Sequence, residues 1–205
     1  MYIRAMIKMQ ESDLEQLCNL TKRGAFCALI YYNKSIGIRI DQFFDKKEFY
    51  LVIRIMFVCH GNICRSPMAE FILKKMVSER GIESEFVIAS SATSTEEIWG
   101  DIGNPVYPPA KAELFKHGIK CDGKRAVQLK KSDYDKYDLF IGMDSYNIRN
   151  MHRILGDDPK GKIKKMMDYT SRGGDVADPW YSGAFDITDR DISEGCDGLL
   201  KTIIK

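Results

Sequence analysis

Cys59 and Arg65, which are separated by five residues, are the side chains of this sequence whose types and spacing best support chemistry. A cysteine thiolate is a strong nucleophile. A guanidinium group binds phosphate through two parallel N–H donors, which a lysine ammonium cannot reproduce. A nucleophile beside a phosphate-binding group indicates attack on phosphorus.

The elements predicted around this pair are those that position an anion. Residues 53–58 alternate in polarity and include β-branched side chains, which predicts a strand. Ser66 is a favourable N-cap and Pro67 suits the first helical position, so we expect a helix over 67–80 that ends at Gly81. A tight loop between the two directs backbone N–H groups at one point. We therefore expect a stabilised thiolate at Cys59.

The run from Cys59 to Pro67, together with the helix behind it, closely resembles the C-x5-R-S signature of the low-molecular-weight protein tyrosine phosphatases. The resemblance extends from Val52 to the C-terminus. A second match is Asp178, in the run Ala-Asp-Pro-Trp-Tyr, where that family places its general acid. Further matches are Met143-Asp144 after an apolar strand and the loop that begins at Gly103-Asn104-Pro105.

The resemblance implies a role for each matching residue. Cys59 would attack phosphorus and form a cysteinyl-phosphate intermediate. Arg65 would stabilise charge on the phosphate oxygens, and Asp178 would protonate the leaving phenolate and then accept a proton from water. Ser66 would hydrogen-bond the thiolate. The phosphate-binding residues would be His60, Gly61, Asn62, Ile63, Cys64, Arg65 and Ser66, with no metal and no cofactor.

Other residues near the motifs have predicted supporting roles. Trp180 and Tyr181, and less directly Trp99, are expected to wall the substrate cleft. In relatives with this spacing, Cys64 traps the oxidised nucleophile as a disulfide, and the alternative is a small buried residue behind the loop. Asn62 suits a left-handed loop position. Asp144 is interpreted as a partner of loop amides, and Lys124 falls where some relatives carry a histidine that braces the loop.

Several alternatives remain open at the level of sequence. Cys59 could be a buried structural thiol, and Asp178 could be only a turn residue. Protein arginine phosphatases resemble this chain but carry threonine at the position of Ile63, whose apolar side chain better suits an aromatic leaving group. Arsenate reductases require a redox cysteine pair on a later loop, which the distant Cys121 and Cys196 do not form. A phosphate-binding pseudoenzyme is the alternative of a different class.

Alternating strands and helices predict a doubly wound α/β fold with a four-stranded parallel sheet covered on both faces. Ligands of such folds bind at the carboxyl ends of the strands, where the Cys59 loop lies. The predicted strands are 53–58, 85–90, 138–143 and 162–167, and the predicted helices are 67–80, 109–117, 145–155 and 186–204.

Composition places few further limits on the function. The chain has 205 residues and a formal net charge of +2, which gives no electrostatic basis for binding nucleic acid or a membrane. Its six cysteines match neither a dense disulfide scaffold nor a zinc site. With no signal peptide evident, we expect a cytoplasmic protein, a monomer or weak dimer, whose partner is a phosphotyrosine-containing protein. The lysines are interpreted as a solvated strand edge at Lys160, Lys162, Lys164 and Lys165.

The first part of the chain matches nothing in this family. We therefore divide the sequence into an extension, residues 1–51, and a phosphatase domain, residues 52–205. The extension is predicted to hold a short helix at 13–19 and two strands at 28–32 and 35–40. It could be a docking or regulatory appendage, a remnant of another domain, or an artefact of the gene model. We expect it not to be catalytic.

Overall fold

The computed structural model describes residues 30–33, 38–41 and 52–204 of the chain. In the first part, strands β1 (Ile30–Asn33) and β2 (Ile38–Asp41) pair antiparallel. They overlap the two strands predicted there. The helix predicted at 13–19 lies outside the described residues.

The strands and helices that were predicted alternate along the chain, and the structure adds two short strands and one short helix that were not predicted. The strands are β3 (Ile53–Cys59), β4 (Phe86–Ala92), β5 (Ile98–Trp99), β6 (Ile102–Gly103), β7 (Leu139–Gly142) and β8 (Ile163–Lys165). The α-helices are α1 (Arg65–Glu79), α2 (Pro108–Lys116), α3 (Ser145–Leu155), α4 (Pro179–Ser182) and α5 (Phe185–Ile203). Short 3-10 turns occupy Glu83–Glu85, Lys131–Asp133 and Met166–Tyr169.

Four of these strands form one parallel sheet, in the order β4–β3–β7–β8. The side chains of the central strand β3 alternate between its two faces. Ile55 and Phe57 pack in the apolar cluster that includes residues of α1 and α5, whereas Met56 and Val58 pack in the cluster that includes Met151 of α3. Helices therefore cover both faces, which confirms the doubly wound α/β prediction.

The start of α1 differs from the prediction. The helix begins at Arg65, and its N-cap residue, Cys64, makes no side-chain capping hydrogen bond. The prediction that Ser66 caps the helix is wrong, because Ser66 lies within the first turn and its hydroxyl contacts the thiol of Cys59 instead. At the other end Gly81 has a φ of 64°, in agreement with its predicted role of ending the helix.

The prediction of a solvated lysine edge is wrong for Lys162. Its side chain is 1% exposed, and its ammonium donates to the carbonyl oxygens of Tyr134 at 2.7 Å and Tyr137 at 2.6 Å. A buried ammonium needs such acceptors, which the turn before β7 supplies. Within the described ranges, no helix is long and apolar enough to cross a membrane.

Candidate active site

The carboxyl end of β3 carries the candidate nucleophile. Cys59 is the last residue of this strand and is 3% exposed. A short loop joins it to the N-terminus of α1. The N–H groups of Thr93 and Ser94 donate to the carbonyl oxygens of Cys59 and His60, each at 2.9 Å. The segment that follows β4 therefore fixes the strand end and the start of the loop.

Two polar groups are directed at the thiol. The N–H of Asn62 donates to Cys59 Sγ at 3.3 Å, and Ser66 Oγ lies 3.0 Å from the same sulfur. A hydrogen bond donated to a thiolate stabilises the charged form, and the N-terminus of α1 adds the positive end of its dipole. The contact expected between Ser66 and Cys59 is present.

Asn62 holds the loop in its unusual conformation. Its φ is 57°, and among the described residues it is the only one other than glycine with a positive φ. Its Nδ2 donates to Ser66 Oγ at 2.9 Å and to Ser90 Oγ at 2.8 Å, and its Oδ1 accepts from the N–H of Val127 at 3.0 Å. Asparagine tolerates this region of φ and ψ better than most residues. The predicted left-handed position of Asn62 is confirmed, and its side chain also ties the loop to β4 and to Val127.

An ion pair behind the loop continues this network. Ser90 Oγ donates to Glu70 Oε2 at 2.6 Å, and Lys124 Nζ lies 3.0 Å from the same carboxylate oxygen. Lys124 also donates to the carbonyl oxygen of Ser90 at 3.2 Å. Burial acts to raise the pKa of Glu70, but the charge of Lys124 and the hydrogen bonds from Lys74 and Ser90 hold that pKa below its usual range. Lys124 therefore braces the loop through Glu70 and Ser90.

Arg65 lies between two carboxylates and is 4% exposed. Its Nη1 donates to Asp144 Oδ2 at 2.6 Å and its Nη2 to Asp178 Oδ2 at 2.7 Å. Burial acts to lower the pKa of Arg65, but the negative charges of Cys59, Asp178 and Asp144 raise it above the ordinary value. The guanidinium therefore stays charged, and its donors have fixed directions.

Asp144 was expected to be a structural partner of loop amides, and it does accept a backbone N–H: that of Asn147, in the first turn of α3, donates to its Oδ1 at 2.6 Å. Its Oδ2 also accepts from Arg65, a contact that the sequence did not predict. Asp144 is thus the N-cap of α3 as well as an orienting partner of Arg65.

Asp178 reaches the site from the loop before α4. Its Oδ1 accepts from the N–H of Trp180 at 3.0 Å, so that it caps α4, and its Oδ2 is directed at Arg65. The side chain of Asp178 is 34% exposed. Folding therefore brings together Arg65 and Asp178, which are 113 residues apart in the sequence.

These residues line a cleft of about 500 Å³. Of the predicted phosphate-binding residues, Asn62 and Ser66 are buried and do not line the cleft, whereas the others line it: His60, Gly61, Ile63, Cys64 and Arg65. Trp180 and Tyr181 also line it and are 56% and 89% exposed. Trp180 lies with its ring centroid 5.3 Å from that of Tyr107.

The structure does not place Trp99 in the opposite wall. Trp99 lies on the β5–β6 hairpin, is 74% exposed and is not a lining residue of the cleft. Glu96 and Glu97, which precede the hairpin, do line the cleft. Neither was predicted, because an aromatic residue was expected to face an aromatic substrate.

Two more lining residues were missed, Tyr146 and Asn147. Tyr146 is 50% exposed, and its ring centroid lies 6.4 Å from that of His60. They lie two and three residues after Asp144, in the first turn of α3. A helix start at the carboxyl end of a parallel strand was the signal that could have revealed them.

Cys64 differs chemically from Cys59, although both are buried free thiols. Burial, together with the negative charge of Cys59, raises the pKa of Cys64 to about 12. Cys64 therefore keeps its proton and does not compete as a nucleophile; its redox role remains a prediction. In the part of the chain that the structure describes, no group of three or more His, Cys, Asp or Glu is placed to hold a metal ion.

Comparison with known proteins gives a consistent result. Residues 54–205 match the family model for low molecular weight phosphotyrosine protein phosphatase. The low molecular weight protein-tyrosine-phosphatase YfkJ of Bacillus subtilis is 36% identical over 156 residues, which cover 75% of this chain and 97% of that protein.

Solved structures agree with the sequence comparisons. The crystal structure of YfkJ has a TM-score of 0.68 and covers 75% of this chain and 95% of that chain. The low molecular weight protein tyrosine phosphatase SP-PTP of Streptococcus pyogenes is 34% identical, with a TM-score of 0.66 and the same two coverages, 75% and 95%. A structure of the YwlE arginine phosphatase is 25% identical, with a TM-score of 0.64, and covers 75% of this chain and 97% of that one.

Proposed function

The chain belongs to the low molecular weight phosphotyrosine protein phosphatase family, and from this membership we propose how its own residues hydrolyse phosphotyrosine in protein substrates. The enzyme is a cysteine-based phosphatase. The observation that supports the assignment of roles best is the meeting of Cys59, Arg65 and Asp178 in one cleft.

In the first step, the thiolate of Cys59 attacks the phosphorus of the substrate. A sulfur–phosphorus bond forms and the bond from phosphorus to the tyrosine oxygen breaks, which leaves a cysteinyl phosphate. The contacts of Asn62 and Ser66 with the sulfur support this role, because they stabilise the thiolate before attack and as a leaving group afterwards.

Arg65 and the amides of the loop bind the phosphate oxygens. The guanidinium presents parallel N–H donors. Asp144 fixes their direction, because its Oδ2 accepts from Nη1 of Arg65 at 2.6 Å. Charge that develops on the oxygens in the transition state meets a preorganised cation in a protected site. When phosphate occupies these donors, it takes the place of Asp178 on Nη2 of Arg65.

Asp178, released from Arg65, acts as general acid and then as general base. It protonates the leaving tyrosine oxygen in the first step. In the second step it takes a proton from water, whose oxygen attacks phosphorus as the sulfur–phosphorus bond breaks. Inorganic phosphate leaves and the thiolate of Cys59 is restored.

The alternative substrate is phosphoarginine, because the YwlE arginine phosphatase shares the fold and 25% of its aligned residues. Two features of the cleft favour phosphotyrosine. Ile63, which lines the cleft, presents an apolar side chain where arginine phosphatases carry threonine. Trp180, Tyr181 and Tyr146 supply aromatic surface for a phenyl ring.

The test compares phosphotyrosine and phosphoarginine peptides of the same sequence on the full chain. We expect a higher kcat/KM for phosphotyrosine, and no turnover of either peptide by Cys59→Ser, which should still bind phosphate. Preference for phosphoarginine would leave the cysteine mechanism in place and overturn the substrate. No turnover of either by the unaltered chain would favour a phosphate-binding pseudoenzyme.

We also propose that activity belongs to residues 52–205 and that the extension of residues 1–51 takes no part in catalysis. The start of the family match at residue 54 supports this division. A monomer or weak dimer remains our expectation. A reducing, cytoplasmic location is supported by the four free cysteines among the described residues, since the nucleophile must stay reduced.

A further inference from the structure

One wall of the cleft carries charge that the catalytic roles do not use. Glu96 and Glu97 both line the cleft, and we refer to them as the acidic wall. The side chain of Glu96 is 72% exposed, and its Oε2 lies 2.9 Å from Nε2 of His60. The hydrogen bond with His60 holds the pKa of Glu96 below its usual range, so Glu96 is a carboxylate at neutral pH.

The acidic wall has a fixed position relative to the phosphate loop. The carbonyl oxygen of Glu97 accepts from the N–H of Asn104 at 2.8 Å, and Asn104 Nδ2 donates to Glu97 Oε2 at 2.7 Å. The side chain of Glu97 also packs on the loop, since a Cβ added at Gly61 would lie 2.9 Å from its Cγ. Glu97 therefore packs against Gly61, which is two residues after Cys59 in the sequence.

Little positive charge is available in the cleft to balance this wall. Among the described residues that line it, Arg65 is the only lysine or arginine, and it already contacts Asp144 and Asp178. His60 offsets the charge of Glu96 only when it is protonated. A bound phosphate adds negative charge on the floor of the cleft, so the mouth favours a cation on the substrate.

We propose that the acidic wall gives the enzyme a preference for phosphotyrosine flanked by lysine or arginine. The inference rests on the proposed function and adds the sequence context of the substrate. Because Glu97 packs against the loop that holds the phosphate, the cation belongs within one or two residues of the phosphotyrosine. Ion pairs at exposed positions typically change an equilibrium by roughly two- to fivefold each.

Three peptides test this, identical except that the residues next to phosphotyrosine are lysine, alanine or glutamate. We expect the lysine peptide to exceed the glutamate peptide in kcat/KM by roughly fivefold or more at about 0.15 M salt, and this ratio to fall as the ionic strength is raised further. Glu96→Gln and Glu97→Gln should each reduce the ratio about two- to fivefold. For each variant, kcat/KM on the peptides is divided by kcat/KM on a small aryl phosphate whose ring carries no charged group. This division removes any effect of the substitution on phosphoryl transfer.

Glu83→Gln is the matched control, because it removes the same charge at the opposite end of the sheet. Glu83 is exposed and precedes β4, whose seven residues separate it from the cleft by about 20 Å, beyond the screening length at about 0.15 M salt. The peptide ratio should not change in this variant.

The outcomes separate this inference from the proposed function. Equal turnover of the three peptides, or a lysine preference that survives unchanged in both Glu96→Gln and Glu97→Gln, would overturn the acidic-wall inference alone. A preference for the glutamate peptide would overturn it and point to an acidic substrate. Absence of turnover on every peptide would refute the proposed function together with the inference.

Discussion

Replacing Asp178 with asparagine should slow the enzyme most on substrates whose leaving groups are poor. Asparagine has nearly the same shape and is an equally good N-cap, so it can still accept the N–H of Trp180, now bound at 3.0 Å. The change therefore leaves α4 in place and removes only the transferable proton and the charge at 2.7 Å from Arg65.

The expected size of the effect follows from these contacts. General acid catalysis typically contributes about 10²- to 10⁴-fold to a rate, and tyrosine is a poor leaving group that needs the proton. Because Asp178 also serves as base in the second step, the quantity to compare is kcat/KM, which reports steps up to phosphoenzyme formation. We therefore expect kcat/KM on phosphotyrosine to fall about 100-fold or more, and kcat/KM on an activated aryl phosphate to fall less than about tenfold. KM should not rise, because loss of the carboxylate leaves Nη2 of Arg65 free for phosphate while Asp144 still holds Nη1.

The assay is a series of aryl phosphates that differ in the acidity of the phenol. The plot is log kcat/KM against the pKa of the phenol that leaves. Its slope should be steeper for the variant than for the unaltered enzyme, because the variant cannot protonate the leaving oxygen. Asp186→Asn, an exposed aspartate at the start of α5 outside the cleft, is the matched control and should behave as the unaltered enzyme. Equal losses across the series in Asp178→Asn would refute the assignment of Asp178 as the general acid.

Three further predictions concern the support of the loop. Asn62→Ala removes three side-chain hydrogen bonds and places alanine at a φ of 57°. The free energy of unfolding, measured in urea, should fall by about 2–4 kcal/mol, and turnover should fall as well. Unchanged stability would contradict the role of Asn62 in bracing the loop. The pKa of Glu70 is lowered on folding, so its ion pair with Lys124 stabilises the fold at pH values above the ordinary pKa of 4.5, and this contribution is lost as pH falls. Glu70→Gln should therefore lower the free energy of unfolding at pH 7. In parallel urea titrations, the difference in that free energy between the variant and the unaltered protein should shrink toward pH 3. Cys64→Ser should retain turnover within about threefold, because its protonated thiol is not the nucleophile, but should recover less activity when a reductant follows peroxide treatment of Cys59; equal recovery would argue against the redox role.

The catalytic loop could be predicted because its signals are local. Alternation over β3, a left-handed asparagine and a proline at a helix start each depend on residues close in sequence. Even so, the N-cap of α1 was predicted at Ser66, two residues after the observed N-cap, Cys64. Its hydroxyl could cap a helix or contact a sulfur, and the choice depends on where β3 delivers Cys59.

The cleft wall was predicted less well, because walls are built from segments that approach one another only in the fold. Trp99 was expected there from its residue type, but it lies exposed on the β5–β6 hairpin, outside the cleft. Glu96 and Glu97, just before the hairpin, line the cleft instead. The prediction for the lysines at 160–165 failed at Lys162 for the same reason. Its burial depends on the carbonyl oxygens of Tyr134 and Tyr137, which approach it only in the fold.

Short runs of residues were enough to predict a candidate nucleophile, a candidate phosphate-binding arginine, a candidate acid and the order of strands and helices. Three other features became visible only in the folded chain: the contact of Asp144 with Arg65, the brace that Glu70 and Lys124 give the loop, and the acidic wall of the cleft. These features depend on distances between residues far apart in the chain. Hydrogen bonds and ion pairs act over a few ångströms, so such contacts exist only once the parallel sheet has brought the carboxyl ends of its strands together.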